Sequence, residues 1–596
     1  MLRSGKRRPG RGWWAAACLL GGAAPAFAFY PQTPALAASG GSGTAATSAA
    51  PAIEFRELSP ERSGVDFVHA SGSRGTAKRF MIECVGTGIG LLDADGDGDL
   101  DLYCVQGGAV DADGRWTPAE GGDRLDLNDG AARFSRAPGC DTGRGFGFGV
   151  SAADVDGDED VDVYVADLGP NRLLLNDGAA HLQPAADAGG ASGAPRDWSM
   201  SGAFGDPDGD GDLDLYVANY LDHDPAHPMI ASGRPCRWLG CEVPCGPKGL
   251  SPQPDRFFLN DGSGHFTEAS AACGFSAAAP AYAFQAAWTD VDDDGRLDLF
   301  VANDSMPAYL FRNLGPAAGA PLRFEELGLR AGCALSDIGK ELAGMGVAVG
   351  DLDGDQSLDL VMTNFSQEQN AVFRNESRAG APGFFDDAGK SGLGWPSFFD
   401  LGWGASLLDA DLDGDLDLLV ANGHVYPQVD GCGISQTTYE QRVRCYEQTA
   451  PGRFRDATDG AGAALQHAAA HRGCAAGDLD GDGRTDLVVA LLDGPPRLLF
   501  NASRCAGRAA RILLLPPAHA VGARVTLTDG KRTWSGEARA GSSFLSAEDP
   551  AALIVGVPAD AALTARVRWP DGKVELFEGL HAGTSRLRQG TGEAGP

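Results

Sequence analysis

Short apolar runs separated by turns recur along the chain in a fixed order. A glycine-rich run of small residues, such as residues 146–152, is followed by an acidic stretch and then by a Val- and Leu-rich run such as residues 215–219. A third run, such as residues 172–175, ends at Asn-Asp-Gly, which is a signal for a hairpin turn. A fourth run begins with Phe and an acid, as at residues 266–268 and 324–326. This order predicts repeated units of four short strands, and therefore an all-β fold.

The acidic stretches share the pattern Asp-x-Asp-x-Asp-x-x-x-Asp and occur seven times, with 52 to 84 residues between successive starts. We call them loops 1 to 7 and number their positions 1 to 9. Positions 1, 3, 5 and 9 are Asp in every loop, whereas position 7 is Asp, Arg or Ser. In loops 1 to 3 the predicted metal ligands at the odd positions are Asp93, Asp95, Asp97, Asp99, Asp101, Asp154, Asp156, Asp158, Asp160, Asp162, Asp206, Asp208, Asp210, Asp212 and Asp214. In loops 4 to 7 they are Asp290, Asp292, Asp294, Arg296, Asp298, Asp351, Asp353, Asp355, Ser357, Asp359, Asp409, Asp411, Asp413, Asp415, Asp417, Asp478, Asp480, Asp482, Arg484 and Asp486.

The spacing of these carboxylates indicates a bound cation. Because position 7 tolerates different side chains, we expect it to act through its backbone carbonyl, which gives each loop four carboxylates and one carbonyl. An oxygen-only donor set of this size suits Ca²⁺ better than Mg²⁺, which prefers to keep its waters and a strict octahedron. Without a cation, two carboxylates about 4 Å apart repel by ~4 kcal/mol at an effective dielectric of ~20. We therefore expect about seven calcium sites.

The acidic loops do not fit an EF-hand, a solvated acidic face or a disordered acidic tail. An EF-hand begins similarly but requires Glu at position 12 and flanking helices. Position 12 is Cys104 in loop 1 and Val217 in loop 3, both inside apolar runs. A solvated acidic face would not keep one spacing seven times, and a disordered acidic tail would lack the intervening Leu, Val and Tyr.

Seven four-stranded units predict a seven-bladed β-propeller with calcium loops. The seventh unit lacks a Phe-acid run, while an additional copy, Phe55-Arg56-Glu57, precedes the first unit. We therefore predict that the strand around Phe55 completes the last blade by pairing with its exposed edge. Residues 52–508 form the predicted propeller. Residues 509–596, in which apolar and polar positions alternate, form a small C-terminal β-domain.

The N-terminus is typical of an export signal. A basic start precedes an apolar run over residues 13–28, and Ala26-Phe27-Ala28 and Ala35-Leu36-Ala37 are candidate cleavage sites. The run is shorter than a membrane anchor and is interrupted by glycine and proline. We assign residues 1–28 to a signal peptide and residues 29–51 to a flexible linker. The protein is therefore expected to be exported (periplasmic, cell-surface or extracellular), with no transmembrane segment once the signal is removed.

Charge and cysteine content narrow the choice of partners and compartment. The formal charge of −33 disfavours nucleic acid and anionic membranes as partners. Of thirteen cysteines, twelve follow the signal, and an even number in an exported chain favours disulfides, with buried thiols as the alternative. The candidate pairs are Cys84 with Cys104, two of Cys236, Cys241 and Cys245, Cys432 with Cys445, and Cys474 with Cys505.

The repeats resemble the FG-GAP (VCBS) repeat family, which is found in integrin α-chain propellers. The C-terminal motifs at residues 520–525, 541–546 and 567–573 resemble the ASPIC/UnbV domain. Together with Asn303-Asp304-Ser305-Met306-Pro307 and Cys245-Gly246-Pro247, this layout is similar to the cartilage acidic protein 1 family, in its bacterial form, over residues 53–582. One departure is residues 553–557, where that family usually has a Phe-Gly-Leu-Gly run.

The resemblance implies a calcium-stabilised extracellular module for binding or adhesion. Our first hypothesis is a monomer that binds an unidentified protein or glycan through insertions between blades. The largest insertion, residues 219–256, contains His223, His227 and Trp238, and the next, residues 422–454, contains a cysteine pair. Both could instead be structural loops pinned by disulfides. The polar residues that follow the second strands either ring one mouth of the propeller or cap turns; they are Asn219, Asn303, Asp304, Asn364, Asn422 and His424.

Two further hypotheses remain open. The chain could be an enzyme acting on polysaccharide as a lyase or hydrolase, but it offers no nucleophile motif, no histidine-based metal cluster and no assignable catalytic residue. It could also be a structural surface scaffold. We expect a binding protein and not an enzyme.

Overall fold

The computed structural model describes residues 53–73, 78–140, 142–224, 236–316, 322–434, 436–541, 543–549 and 552–595. The predicted export signal (1–28) and linker (29–51) lie outside these ranges. Residues 51–596 pack as one compact unit. The fold is all-β with a few short helices, as the sequence predicts.

Seven four-stranded antiparallel sheets dominate the described part of the chain, and we number them sheets 1 to 7 after the loop that each contains. Their first strands are Ile89–Leu92, Gly147–Ala153, Ser199–Gly205, Ala283–Thr289, Val347–Gly350, Gly402–Leu408 and His471–Gly477. Their second strands are Asp101–Cys104, Asp162–Asp167, Asp214–Asn219, Asp298–Asn303, Asp359–Met362, Asp417–Asn422 and Asp486–Leu491. Each second strand therefore begins at position 9 of its loop.

The third and fourth strands complete each sheet. The third strands are Arg124–Asn128, Arg172–Leu175, Arg256–Asn260, Tyr309–Asn313, Ala371–Asn375, Arg444–Ala450 and Arg497–Asn501. The fourth strands are Phe134–Arg136, Gln183–Pro184, Phe266–Glu268, Phe324–Glu326, Phe384–Asp386, Arg453–Asp456 and Phe55–Leu58. The predicted role of the N-terminal strand is confirmed, because Phe55–Leu58 pairs antiparallel with Arg497–Asn501 and completes sheet 7.

Glycines in the first strands allow neighbouring sheets to approach closely. A Cβ atom on Gly149 of sheet 2 would lie 2.1 Å from the carbonyl oxygen of Met200 in sheet 3. A Cβ atom on Gly404 of sheet 6 would lie 2.7 Å from the amide nitrogen of Cys474 in sheet 7. The small-residue character of these runs therefore follows from the packing of first strand against first strand.

A short segment that precedes the strand Ala552–Val557 forms hydrogen bonds or β-bridges with all seven sheets. Leu545 accepts a hydrogen bond from the amide of Val150 in sheet 2 and donates its own amide to Gln285 in sheet 4. Ala547 exchanges backbone hydrogen bonds with sheet 1, and the Glu548 carboxylate accepts from sheets 6 and 7. Sheets 3 and 5 are reached through Ala540 and Ser543 respectively. We call residues 540–541 and 543–548 the axial segment, and it contacts the first strand of each of the seven sheets.

The C-terminal part forms two further sheets around its own apolar core, which includes Val525, Ala565 and Trp569. In the three-stranded sheet the order is Ala552–Val557, Arg508–Leu515, Gly583–Arg588, with the last two strands parallel. In the five-stranded sheet the order is Thr533–Glu537, Arg524–Thr528, Leu563–Arg568, Val574–Leu580, Glu593–Ala594. Two small hairpins lie outside the main sheets: Gly108–Val110 with Trp116–Pro118, and Cys236–Trp238 with Cys241–Val243.

The helices of the described residues are single turns. The α-helices are Pro60–Ser63, Ile82–Val85, Ser270–Cys273, Gly328–Ala331, Ala388–Ser391, Gly394–Ser397 and Pro517–Ala520. The 3₁₀ helices are Gly190–Ser192, Phe275–Ala277, Pro427–Gly431 and Ala463–Gln466. Within the ranges that the structure covers, no helix has the length and apolar character needed to cross a membrane.

Candidate metal centres

Each acidic loop folds around its first carboxylate. In all seven loops the backbone amide of position 6 donates to the Oδ2 atom of position 1, at distances between 2.9 and 3.1 Å. Glycine or a residue with positive φ recurs at position 6, for example Gly98 (φ 97°) and Glu159 (φ 74°). The repeated bond explains why the loops keep one length, since an insertion would separate these two positions.

The carboxylate at position 9 holds the loop onto its sheet. Its Oδ1 atom accepts the backbone amide of the third strand, as from Asn128 to Asp101 at 2.8 Å, and the same bond is present in every sheet. Its Oδ2 atom accepts the amide of position 2 in six loops. Loop 3 lacks this second bond because position 2 is Pro207, which has no N–H, and Asp214 Oδ2 is left without a partner.

The loops bring carboxylates together in a way that fits a hard cation. Oxygen atoms of at least three acidic residues lie within 4.8 Å of one another, as in Asp154, Asp156 and Asp162 of loop 2. Besides Asp214 Oδ2 in loop 3, buried carboxylate oxygens without a hydrogen-bond donor occur in loops 1, 2, 4 and 7, at Asp93 Oδ1, Asp156 Oδ1, Asp292 Oδ1 and Asp478 Oδ1. An oxygen-only donor set containing buried, unpartnered oxygens is what a divalent cation such as Ca²⁺ would satisfy.

Burial makes the cation-free loop costly. Burial raises the pKa of Asp101 to about 7 and that of Asp214 to about 9, with the neighbouring Asp side chains acting in the same direction. A carboxylate in such a place either holds a proton or needs a nearby positive charge. Acidic clusters of this kind could therefore bind a metal ion.

The side chain at position 7 reaches the end of the third strand or the turn that follows it. The Asp99 carboxylate lies against Gly130, where a Cβ atom would be 2.3 Å from Asp99 Oδ2. In loop 4, Arg296 Nε donates to the carbonyl of Asn313 at 3.2 Å, and in loop 7, Arg484 Nε donates to that of Asn501 at 2.7 Å. Position 7 thus supports the end of the third strand, which explains why either an acid or a base is tolerated there.

A set of asparagines at the ends of the third strands links each sheet to the loop before it. Asn176 Nδ2 in sheet 2 donates to the carbonyl of Ala94 in loop 1 at 2.9 Å. Equivalent bonds leave Asn128, Asn260, Asn313, Asn375 and Asn501. Sheet 6 has Gln448 at this place, and there the amide of Gly452 reaches Leu352 in loop 5 instead. The sequence marks these asparagines only as turn residues, and their recurrence at the end of the third run is the signal that points to a further role.

The C-terminal sheets lie on the acidic loops. Arg532 Nη1 donates to the carbonyl of Asp413 in loop 6 at 2.7 Å. In the same loop, the amide of Gly556 donates to Asp409 Oδ2 at 2.7 Å. Arg588 pairs with Glu159 of loop 2 at 2.9 Å. A cavity of about 590 Å³ separates loops 5 to 7 from the C-terminal sheets, and its lining includes Trp534.

At the opposite ends of the sheets, the two predicted insertions meet. Cys241 of the first insertion forms a disulfide with Cys432 of the second, 191 residues later. Trp238 packs against His424 and Phe365, with ring centroids 4.8 and 5.9 Å apart. We call residues 236–255 and 423–434 the cap. His227 lies outside the described residues.

The predicted disulfides are corrected in part. Cys236 pairs with Cys245, within the predicted trio. The pairs Cys432–Cys445, Cys84–Cys104 and Cys474–Cys505 are wrong, because Cys84, Cys104, Cys445, Cys474 and Cys505 are thiols. Cys104 and Cys445 are buried in apolar cores between sheets, where they pack as small hydrophobic side chains.

The polar residues that follow the second strands mostly cap turns. The Asn219 side chain bonds the carbonyl of Pro254, that of Asn364 bonds Gln369, and that of Asn422 bonds Arg442. Asn303 likewise bonds the carbonyl of Pro307. Asp304 accepts the hydroxyl of a buried tyrosine, Tyr220, at 2.7 Å. These side chains therefore stabilise the connections that follow the second strands.

Comparisons with known proteins identify two kinds of sequence module. The family model described as FG-GAP-like repeat matches residues 154–217, 290–362 and 434–489, and the model described as ASPIC and UnbV matches residues 516–593. A search among curated proteins finds no match.

Several solved structures are similar at low identity. A lectin of Agrocybe aegerita, described as recognising non-reducing terminal N-acetylglucosamine, is 14% identical over 68% of this chain and 85% of its own, with a TM-score of 0.35. The exotype rhamnogalacturonan lyase YesX is 11% identical over 71% of this chain and 75% of its own, with a TM-score of 0.30. The extracellular domain of BT3049 from B. thetaiotaomicron is 9% identical over 88% of this chain and 52% of its own, with a TM-score of 0.37. At these TM-scores the likeness carries no functional information.

Proposed function

From a chain that carries FG-GAP-like repeats and a C-terminal ASPIC and UnbV domain, we propose an exported, calcium-stabilised, seven-bladed β-propeller that binds an extracellular protein or glycan through its cap. The sheets are the blades, the acidic loops hold the ions, and the cap meets the partner.

Two observations support the propeller. A segment as short as the axial segment can reach the first strands of seven sheets only if those strands surround it, as the bonds of Leu545 and Ala547 indicate. The asparagine links also run from six of the seven sheets to the loop before each, and the link from sheet 1 returns to loop 7. Both are expected of blades arranged around one axis.

The buried, unpartnered carboxylate oxygens of loops 1, 2, 3 and 7 support calcium as the resident ion. Calcium accepts six to eight oxygen ligands in flexible geometry, which suits loops that differ at positions 6 and 7. In these loops positions 1, 3, 5 and 9 would hold the ion. The ion would neutralise the carboxylates and fix the turn between two strands.

The Cys241–Cys432 disulfide is the observation that carries the binding proposal. The C-terminal sheets cover the loop ends of the blades, so the other ends are the ones left for a partner. There the disulfide joins two insertions from blades 3 and 6 into one structure, and Arg237, Leu239 and Glu242 on it are exposed. A recognition surface held in one conformation loses less entropy when it binds. Disulfides also favour an oxidising compartment outside the cytosol.

The test is a binding screen with matched surface variants. Purified chain with calcium is applied to glycan and protein arrays, and hits are titrated with the parent, with Arg237→Ala/Leu239→Ala on the cap, and with Leu329→Ala/Arg330→Ala as a control. The control pair is exposed to a similar degree but lies on blade 4 outside the cap. We expect the cap variant to lose at least tenfold in affinity and the control to bind as the parent does. Equal loss in both variants, or no partner on either array, would contradict the proposal.

Two buried histidines, His69 and His424, are poorly suited to proton transfer. Burial lowers the pKa of His69 and of His424 to about 3. Neither ring is therefore placed to exchange protons with a bound substrate. Saturable turnover of labelled polysaccharides by the same preparation would favour the enzyme hypothesis instead.

A further inference from the structure

Loop 4 differs from the other acidic loops because arginines already occupy its carboxylates. Arg568 Nη2, from the C-terminal domain, lies 2.6 Å from Asp290 Oδ2 at position 1. Arg312 Nε lies 2.9 Å from Asp292 Oδ2 at position 3, and its Nη2 atom lies 3.1 Å from Asp294 Oδ2 at position 5. Arg296 also pairs with Asp294. Each of the first three carboxylates therefore faces a guanidinium group.

These ion pairs are shielded from water. The side chain of Asp292 is fully buried and that of Asp290 is 3% exposed, while Arg312 and Arg568 are 18% and 17% exposed. Ion pairs of this kind are screened far less than surface pairs, and they persist because removing one partner would leave a buried charge uncompensated. The arginines are thus built into the loop.

The neighbouring loops show how unusual this arrangement is. Among the described residues, no arginine or lysine pairs with the carboxylates at positions 1, 3 and 5 of loops 1, 2 and 3. In these three loops the ion pair that is present joins Arg588 to Glu159, at position 6 of loop 2. In loop 5 the guanidinium of Arg374 lies 3.4 Å from Asp353, and in loop 7 Arg484 pairs with Asp482, so each has one such contact. In loop 6 the guanidinium of Arg532 pairs with Asp415, which is at position 7.

We propose that Arg296, Arg312 and Arg568 hold loop 4 in place of a divalent cation, so that loop 4 takes up no calcium while the remaining ring does. Calcium would need the same Oδ2 atoms at roughly 2.3–2.6 Å, next to guanidinium groups that carry charge of the same sign. Asp292 Oδ1 accepts no hydrogen bond, but its carboxylate is already paired through Oδ2. The inference rests on the proposed calcium function.

The arrangement gives loop 4 a distinct role. Because Arg568 belongs to the C-terminal domain, this loop fastens that domain to blade 4 whether or not calcium is present. Calcium removal would then loosen the other loops and leave this attachment in place.

The test counts bound calcium in matched loop variants. Calcium per chain is measured by equilibrium dialysis on the folded parent, on Asp208→Asn in loop 3 and on Asp292→Asn in loop 4, both at position 3. We expect Asp208→Asn to bind one ion fewer than the parent and Asp292→Asn to bind the same number. A loss of one ion in Asp292→Asn overturns the proposal. If neither count changes, the calcium role of the ring fails, and this inference fails with it.

A second variant covers the case in which Asp292→Asn does not fold. Arg312→Gln combined with Arg568→Gln removes two guanidinium groups and leaves all four carboxylates of loop 4. We expect this variant to bind one calcium more than the parent. A count equal to that of the parent overturns the proposal.

Discussion

The side-chain amide of Asn128 donates a hydrogen bond of 2.9 Å to the carbonyl of Leu479, and thereby joins sheet 1 to loop 7 across 351 residues of sequence. The same amide donates to Leu100 at 3.1 Å, inside its own sheet. Asn128 is 5% exposed, so water cannot readily replace either bond. Like the pairing of Phe55–Leu58 in sheet 7, this contact ties the first part of the described chain to the last of the seven sheets.

Replacing Asn128 by alanine should destabilise the fold. The change leaves two buried carbonyls without a donor, each at about 1–3 kcal/mol, so we expect a loss of roughly 2–6 kcal/mol in the free energy of unfolding. Urea unfolding in the presence of calcium measures it. Glu120→Ala, an exposed residue, is the control and should change stability by less than about 0.5 kcal/mol. Equal midpoints for the two variants would refute the role of Asn128.

The axial segment should contribute strongly to folding. Phe544 is fully buried and packs against Trp403 and Phe284, with ring centroids 4.8 and 5.6 Å apart. Phe544→Ala should therefore cost about 3–5 kcal/mol. Phe385→Ala, at a side chain that is 39% exposed, should cost clearly less. If both variants unfold at the same denaturant concentration, the segment is not packed on the axis as described.

Peptide mapping of the oxidised protein should recover one long-range crosslink. Digestion without reduction, followed by mass spectrometry, is expected to give a Cys241–Cys432 peptide pair and a Cys236–Cys245 loop. Cys432→Ser should lower stability by about 2–5 kcal/mol, because the crosslink restricts the unfolded chain. Recovery of Cys432 joined to Cys445 would contradict the structure and separate the two insertions of the cap.

The pH dependence of stability should carry a signature of His471. Burial lowers the pKa of His471 to about 3, and the Arg497 guanidinium, which donates to its Nε2 atom at 2.9 Å, acts in the same direction. Below pH ~6.5 the unfolded chain takes up a proton that the folded chain refuses, so stability falls as pH falls towards 3. Between pH 7.5 and 5.5 the parent should lose about 1.4 kcal/mol more than His471→Gln. Parallel pH profiles would show that this ring is not held neutral.

The repeating parts of the fold could be predicted from sequence because their causes are local. The carboxylate at position 9 and the amides that donate to it belong to one loop and its sheet, so the Asp spacing recurs with every sheet. The additional Phe-acid run at Phe55 predicted the pairing in sheet 7, since a unit that lacks its fourth strand must obtain one from elsewhere in the chain. These predictions needed only the order of the runs.

Features that depend on assembly could not be predicted in this way. Cys241 and Cys432 lie in insertions of sheets 3 and 6, 191 residues apart in sequence, and only tertiary packing brings them together, whereas the wrong pair Cys432–Cys445 is close in sequence. The approach of Arg568 to Asp290 likewise depends on how the C-terminal domain docks. Loop 4 keeps Asp at positions 1, 3, 5 and 9 like its neighbours, so its Asp pattern does not reveal that its charges are paired.

Thermal unfolding before and after exhaustive chelation is the most direct test of a calcium-stabilised ring. Ions that bind only the folded state add stability at every occupied loop, about 2.7 kcal/mol each at a hundredfold excess over Kd. For a ring with several occupied loops we expect Tm to fall by about 10 °C or more on chelation, and to return when Ca²⁺, but not Mg²⁺, is restored. An unchanged melting curve after exhaustive chelation would contradict the account.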